Sequence, residues 1–298
     1  MYTRVVIAVD RSDEAKEAAR RGLELADVLG AAVDVVHVVE QKALRLTETA
    51  DERERLREQG RNVLSEVEQQ ASDLGQTVRT ELLEGKPAAE ISTVASERDA
   101  DLVVVGRQGV TGLRKRLIGG VTEQLLHRSD VPVFVVPRRS ETSGSADSYS
   151  RFLIPTDGSE TAESAARHGA SIAQRYGAAI HVLNVVDLQA AGGVFSAGGL
   201  EKEFVDRLES RGREAVQRVE DEVRATASDS DVEPAVVKTK SFNGVAPEIR
   251  NYVSEHEIDV VVMGSHGRSN VKRQLLGSVA STVLRTVDVP VLVVKRDS

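Results

Sequence analysis

Two stretches of this sequence set glycines where a backbone could close around an anion. One runs Gly264-Ser265-His266-Gly267 and, after nine intervening residues, continues as Gly277-Ser278 at the head of an apolar helical run. The other keeps the same spacing as Gly106, Gly109 and Gly119, with Gly120 next. Glycines let a backbone approach an anion with no Cβ in the way, and successive amides can form a cradle. A helix start adds unpaired N–H donors and roughly half a positive charge. Ahead of each stretch an aspartate, Asp10 or Asp157, closes an apolar run. The chemistry suggested is that of holding a phosphate chain. The plainer alternative is a tight strand-to-helix connection with Ser278, Asp10 and Asp157 as helix caps.

Other chemistries lack their residues. The chain has no cysteine, which excludes thiolate catalysis, disulfides and cysteine-held metals. The six histidines show no paired ligand spacing, and His266, inside the second loop, reads equally as a phosphate contact or a solvated side chain. No Ser/His/Asp arrangement, Gly-x-Ser-x-Gly elbow or Gly-x-x-x-x-Gly-Lys-Ser/Thr loop is present. Arg268, Lys272 and Arg273 stand ready either to neutralise phosphate or simply to face water. A net charge of −8 and 3% aromatics argue against nucleic-acid binding. No apolar run approaches the roughly 20 residues that span a bilayer, and no signal-peptide pattern appears, so a cytoplasmic protein without membrane partners is expected.

The elements that must position these loops come in two copies. Val5 to Asp10 and its sequel match Phe152 to Asp157 at an offset of 147 residues, while Asp101 to Gly106 matches Asp259 to Gly264 at an offset of 158. The 11 extra residues of the second copy are expected in a flexible loop over Asp187 to Gly199. The expected organisation is a domain over 1–138, a Ser-rich linker over 139–150 and a second domain over 151–298. Strands are predicted over Arg4 to Val9, Ala32 to Val39, Thr77 to Leu83, Leu102 to Val105 and Val133 to Val136. A helix over Asp51 to Asp73 would bury Leu56, Val63, Leu64, Val67, Ala71 and Leu74. Strands apolar on both faces imply an α/β fold with a parallel sheet covered on both sides.

With the glycine loop, the stretch Leu276-Gly277-Ser278-Val279, the run Val289-Pro290-Val291 and the segment Pro155-Thr156-Asp157-Gly158-Ser159 in place, the chain resembles the universal stress protein family over nearly its whole length, twice. That resemblance implies two Rossmann-like domains of the adenine nucleotide alpha hydrolase-like type, each an open five-stranded parallel sheet. It implies an ATP site (or one for ADP or AMP), with magnesium or manganese, in the second half. Thr156 and Asp157 would lie beside the nucleotide, with Asp157 contacting the metal ion. Val185 and Met263 would line the adenine pocket, and Gly264, Gly267, Gly277, Ser278 and Val279 would hold ribose and phosphates, mainly by backbone amides and the Ser278 hydroxyl.

In the first half, Asp10, Val38, Val105, Gly106, Gly109, Gly119 and Gly120 occupy the matching positions, but Gly120 supplies no hydroxyl where Ser278 does. One hydrogen bond to a charged group is worth about 1.5–3 kcal/mol, so this site is expected to bind tenfold or more weakly. The family's domains pair through their last strands, which implies an intramolecular pseudo-dimer, or a homodimer, and a regulatory protein partner. A stress-response regulator is the leading expectation; a slow ATPase and a scaffold without ligand are its rivals.

Overall fold

A computed structural model describes residues 2–46, 49–109, 117–138, 148–192, 202–267 and 276–295. The chain divides into two compact units, Met1–Asp147 and Ser148–Ser298. Unit one contains β1 (Arg4–Ala8), α1 (Asp13–Leu29), β2 (Ala32–Glu40), α2 (Gln41–Leu46), α3 (Ala50–Asp73), β3 (Val78–Gly85), α4 (Pro87–Glu97), β4 (Leu102–Gly106), α5 (Gly120–Arg128) and β5 (Val133–Val136). Unit two contains β6 (Arg151–Pro155), α6 (Glu160–Tyr176), β7 (Ala179–Asp187), α7 (Leu188–Gly192), α8 (Lys202–Thr226), β8 (Val232–Thr239), α9 (Val245–Glu255), β9 (Val260–Gly264), α10 (Ser278–Thr286) and β10 (Val291–Val294).

Each unit is an open parallel sheet, in the order β3-β2-β1-β4-β5 in the first and β8-β7-β6-β9-β10 in the second. The α/β fold expected from the sequence is therefore present in both halves, with first-unit strand ends within two residues of the predicted ones. Strands β4 and β5 are apolar and buried along their length, as β1 is after Arg4, whereas β3 and β8 are largely half-exposed. Burial on both faces is what an all-parallel sheet with helices on each side requires. The chain moves outward from β1 to β2 and β3, then returns to β4 on the other side of β1. That reversal opens a crevice beyond the carboxyl ends of β1 and β4, the position where such sheets bind ligands.

Local signals fix the helices that flank the crevice. Helix α1 starts at Ser12, whose side chain accepts from Ala15 N, and stops at Gly30 with φ +65°. Helix α6 repeats this with Ser159 and Gly177. The caps are therefore these serines and not Asp10 or Asp157: an N-cap must reach back to the third amide of its helix, and the aspartates lie two residues too early.

Two further expectations change. Leu74 is 49% exposed and follows the end of α3, because the turn through Gly75 (φ +72°) carries it off the buried face held by Val63, Leu64, Val67 and Ala71. Residues Leu188–Gly192, expected as loop, form helix α7, started by the Asp187 carboxylate, which accepts from Gln189 N and Ala190 N at 3.0 and 2.9 Å. Gly193, Gly198 and Gly199 lie outside the described residues, as does most of the expected linker.

The units differ in the core between β2 and β7. In unit one Asp34 is fully buried in β2 and ion-paired to Arg4 (2.9 Å) and to Arg98, which also reaches Glu81. In unit two the matching position in β7 is His181, whose Nδ1 lies 3.1 Å from the Tyr252 hydroxyl and 3.5 Å from Glu233.

Candidate functional site

Beyond the carboxyl ends of β1 and β4, unit one holds a cavity of about 600 Å³, within the range usual for small-molecule sites. All seven first-half candidates, Asp10, Val38, Val105, Gly106, Gly109, Gly119 and Gly120, line it. Asp10 follows β1 and is fixed by an Asx turn: its Oδ1 accepts from Ser12 N at 2.9 Å and from the Ser12 hydroxyl. Its Oδ2 lies against Gly109, where a Cβ would collide with it. The glycine is thus needed for the loop after β4 to reach the loop after β1.

The far end of that loop returns at Gly119. Its amide donates to Arg107 O at 2.8 Å, and a Cβ there would stand 3.3 Å from Gln108 Cα. Gly119 is the N-cap of α5 and brings no side-chain acceptor. The first-turn amides of α5 therefore start at the cavity wall without a side-chain cap, a setting that favours an anion. Thr122 Oγ1 donates to Gly106 O at 2.8 Å and pins the helix start to the end of β4.

Several lining residues carry no motif in the sequence. His37 Nδ1–H donates to Val9 O, 2.9 Å away, and burial holds its pKa below the ordinary histidine value, partly opposed by that bond. A neutral ring with Nδ1–H toward Val9 O leaves Nε2 as an acceptor. Helix α3 crosses directly over this ring because Gly60 has no Cβ; one would stand 2.7 Å from His37 Cδ2. Arg11 Nη1 donates to Gln59 Oε1 at 2.7 Å, linking the loop after β1 to α3. Pro87 and Ile91, from the start of α4, complete an apolar wall with Val38 and Val105. The alternation of His37 with Val38 in a strand was the only local sign of this wall.

Unit two repeats the frame. Asp157 Oδ1 accepts from Ser159 N at 3.0 Å, and a Cβ on Gly267 would collide with Asp157 Oδ2. Thr156 is buried, and its hydroxyl accepts from Gly158 N at 3.0 Å, closing the turn that presents Asp157. Val185 is half-buried two residues before the end of β7, and Met263 is buried in β9 next to Gly264. Gly277 is the N-cap of α10, and Ser278 and Val279 are its first two residues. Gly277, expected with its neighbours to hold ribose and phosphates mainly through backbone amides, has its own amide engaged within the loop. Gly277 N donates to Ser265 O at 2.8 Å, as Gly119 N does to Arg107 O, because closing the loop on itself consumes that donor. The remaining candidates for donation are the Gly267 backbone, the first turn of α10 and the exposed Ser278.

His266 is half-buried rather than solvated: Nδ1 lies 2.9 Å from Ser265 Oγ, and Nε2 is buried without a partner among the described residues. Arg268, Lys272 and Arg273 fall outside the described residues. Among the described residues no three His, Asp or Glu side chains come together as a metal-binding group, and no helix is long and apolar enough to cross a membrane.

Comparison with known proteins adds a sequence family to this geometry. A family model described as "Universal stress protein family" matches residues 1–137 and 148–295. A universal stress protein of Mycolicibacterium smegmatis is 26% identical over 98% of this chain and 96% of its own length. One from Methanocaldococcus jannaschii is 36% identical over 46% of this chain and 84% of its own. The crystal structure of a universal stress protein from Archaeoglobus fulgidus superposes with a TM-score of 0.71 at 22% identity, covering 98% of both chains, a likeness of fold.

Proposed function

The chain belongs to the universal stress protein family as a tandem of two of its domains, and from that premise we propose that each domain holds an adenine nucleotide at its strand switch point, ATP in the second. The observation that carries this reading is the first-domain cavity, whose glycine loop, aspartate and uncapped α5 start converge on one space of about 600 Å³. Its apolar lining residues Val38, Val105 and Ile91 suit a flat base, and its lining glycines suit a phosphate. The second domain repeats the pairing of aspartate and loop glycine and adds the Ser278 hydroxyl at the helix start.

A magnesium or manganese ion fits as a shared ligand. Such ions take oxygen donors and commonly bind through one or two carboxylates together with the phosphates. Asp157 supplies one carboxylate at the loop, and the nucleotide would supply the other charges. Occupancy then acts as a regulatory signal in a stress response, through a partner that binds one occupancy state better than the other.

The test is mass spectrometry of nucleotide released when freshly purified protein is denatured, followed by calorimetric titration of stripped protein with ATP and magnesium. Adenylate is expected in the release, at up to one per domain. Gly267→Val, which drives a side chain into Asp157, is expected to abolish second-domain binding. Protein that releases no adenylate and gives no heat with ATP would overturn the proposal.

A further inference from the structure

The two loops carry the same glycines but are wired differently behind them. In the first domain the residue behind the end of β4 is Glu14, 7% exposed, and a Cβ on Gly106 would stand 3.0 Å from its backbone carbon. Its Oε2 accepts the amide of Gln108, at the centre of the glycine loop. The Gln108 side chain is also committed, with Nε2 donating to Leu117 O. In the second domain the matching position is Thr161, which carries no charge; its Cγ2 would stand 2.8 Å from a Cβ on Gly264. The loop pair Arg107-Gln108 corresponds to Ser265-His266, and Gly120 corresponds to Ser278. The segments between the later glycines, 110–118 and 268–276, carry three basic residues each in sequence, so they do not distinguish the domains.

These differences act in one direction. An amide that donates to a buried carboxylate is not donating to a ligand phosphate. A carboxylate under the loop also repels each negative charge brought onto it, in surroundings where screening by water is weak. Burial raises the Glu14 pKa above the ordinary carboxylate value, and the Gln108 amide and the nearby buried Arg107 oppose that rise by favouring the charged form. The missing Ser278 hydroxyl removes a further donor. The apolar wall and His37 are untouched by any of this.

We infer that the first domain selects an adenine ligand with little phosphate charge, a nucleoside or a single-phosphate nucleotide, over ATP, and that Glu14 is the residue that sets this preference. The inference rests on the nucleotide reading above and divides its two sites: a polyphosphate site in the second domain, a low-charge site in the first. The full chain would then report two adenine species at once.

The experiment uses the full chain carrying Gly267→Val, so that only the first site is read, and titrates adenosine, AMP and ATP with magnesium by calorimetry. Adenosine or AMP is expected to bind at least tenfold more tightly than ATP. Glu14→Gln keeps an oxygen for the Gln108 amide and removes only the charge; it is expected to tighten ATP about tenfold with adenosine unchanged within twofold. Glu14→Thr, copying the second domain, should tighten ATP further. In the otherwise native chain with Gly109→Val in the first domain, Thr161→Glu should weaken ATP at the second site by a similar factor and leave adenosine alone, which supplies an independent reading if a Glu14 variant fails to fold. A first site that prefers ATP, or an ATP-to-adenosine ratio unmoved by Glu14→Gln and Thr161→Glu, overturns the inference while adenosine binding keeps the nucleotide reading intact. Absence of binding by all three ligands to the native chain overturns both.

Discussion

Replacing Gly109 by alanine is the sharpest probe of the first site, because among the described residues a Cβ at this position meets one atom group only, the Asp10 carboxylate. That carboxylate cannot simply swing aside. Its other oxygen holds Ser12 N and the Ser12 hydroxyl, and the same hydroxyl oxygen caps α1 by accepting from Ala15 N at 3.1 Å. Relief of the collision therefore sacrifices at least one hydrogen bond to a charged acceptor, a loss of about 1.5–3 kcal/mol. For a domain of this size each kcal/mol moves the melting temperature by roughly 2–4 °C, so a fall of roughly 3–12 °C is expected. The control is Gly120→Ala, whose Cβ would meet no atom of the described residues within 4 Å and which should leave melting unchanged or slightly raised. Scanning calorimetry of the two variants and the parent, each with and without added adenosine and ATP, reads both stability and binding. Gly109→Ala melting with the parent and binding as the parent does would refute the claim that Asp10 is packed against this glycine at the site.

Further expectations follow from the same structure. Asp34→Ala leaves the Arg98 guanidinium beside an empty buried site, and removal of one partner of a buried pair costs about 3–5 kcal/mol; urea unfolding showing less than about 1 kcal/mol would contradict the burial of that pair. Ser12→Ala removes the cap of α1, and a loss of about 1 kcal/mol should appear with faster hydrogen exchange at Ala15; unchanged exchange would count against the cap. His181 has its pKa lowered from 6.5 chiefly by burial, with Glu233 opposing. A depressed histidine stabilises the fold above pH 6.5 and loses that contribution as pH falls from 6.5 through its folded value. The native chain should therefore lose stability between pH 7 and 5 more steeply than His181→Gln; parallel pH profiles would refute this.

Much of this protein was legible before any coordinates. The doubled order of strand end, glycine loop and terminal strand located two domains of one design, since short β-branched runs and 3.6-residue periodicity are local properties of a chain. Leu74 and Leu188–Gly192 were misjudged at the margins, where a positive-φ glycine and an aspartate cap override periodicity. The loop glycines were singled out by their spacing after a strand, and Asp10, Val38 and Val105 by the family resemblance; all of them line one cavity, because parallel strands align their carboxyl ends.

What the tertiary structure alone decided are contacts between residues distant in sequence and the directions of single groups. His37 enters the cavity beneath Gly60, Asp34 meets Arg98 from 64 positions away, and Glu14 meets Gln108 from 94 positions away. The inward turn of the Gly277 amide onto Ser265 O is of the same kind. A sequence specifies which donors and acceptors exist and roughly which surface they share; only the packed chain determines which of them satisfy one another, and therefore which remain for a ligand.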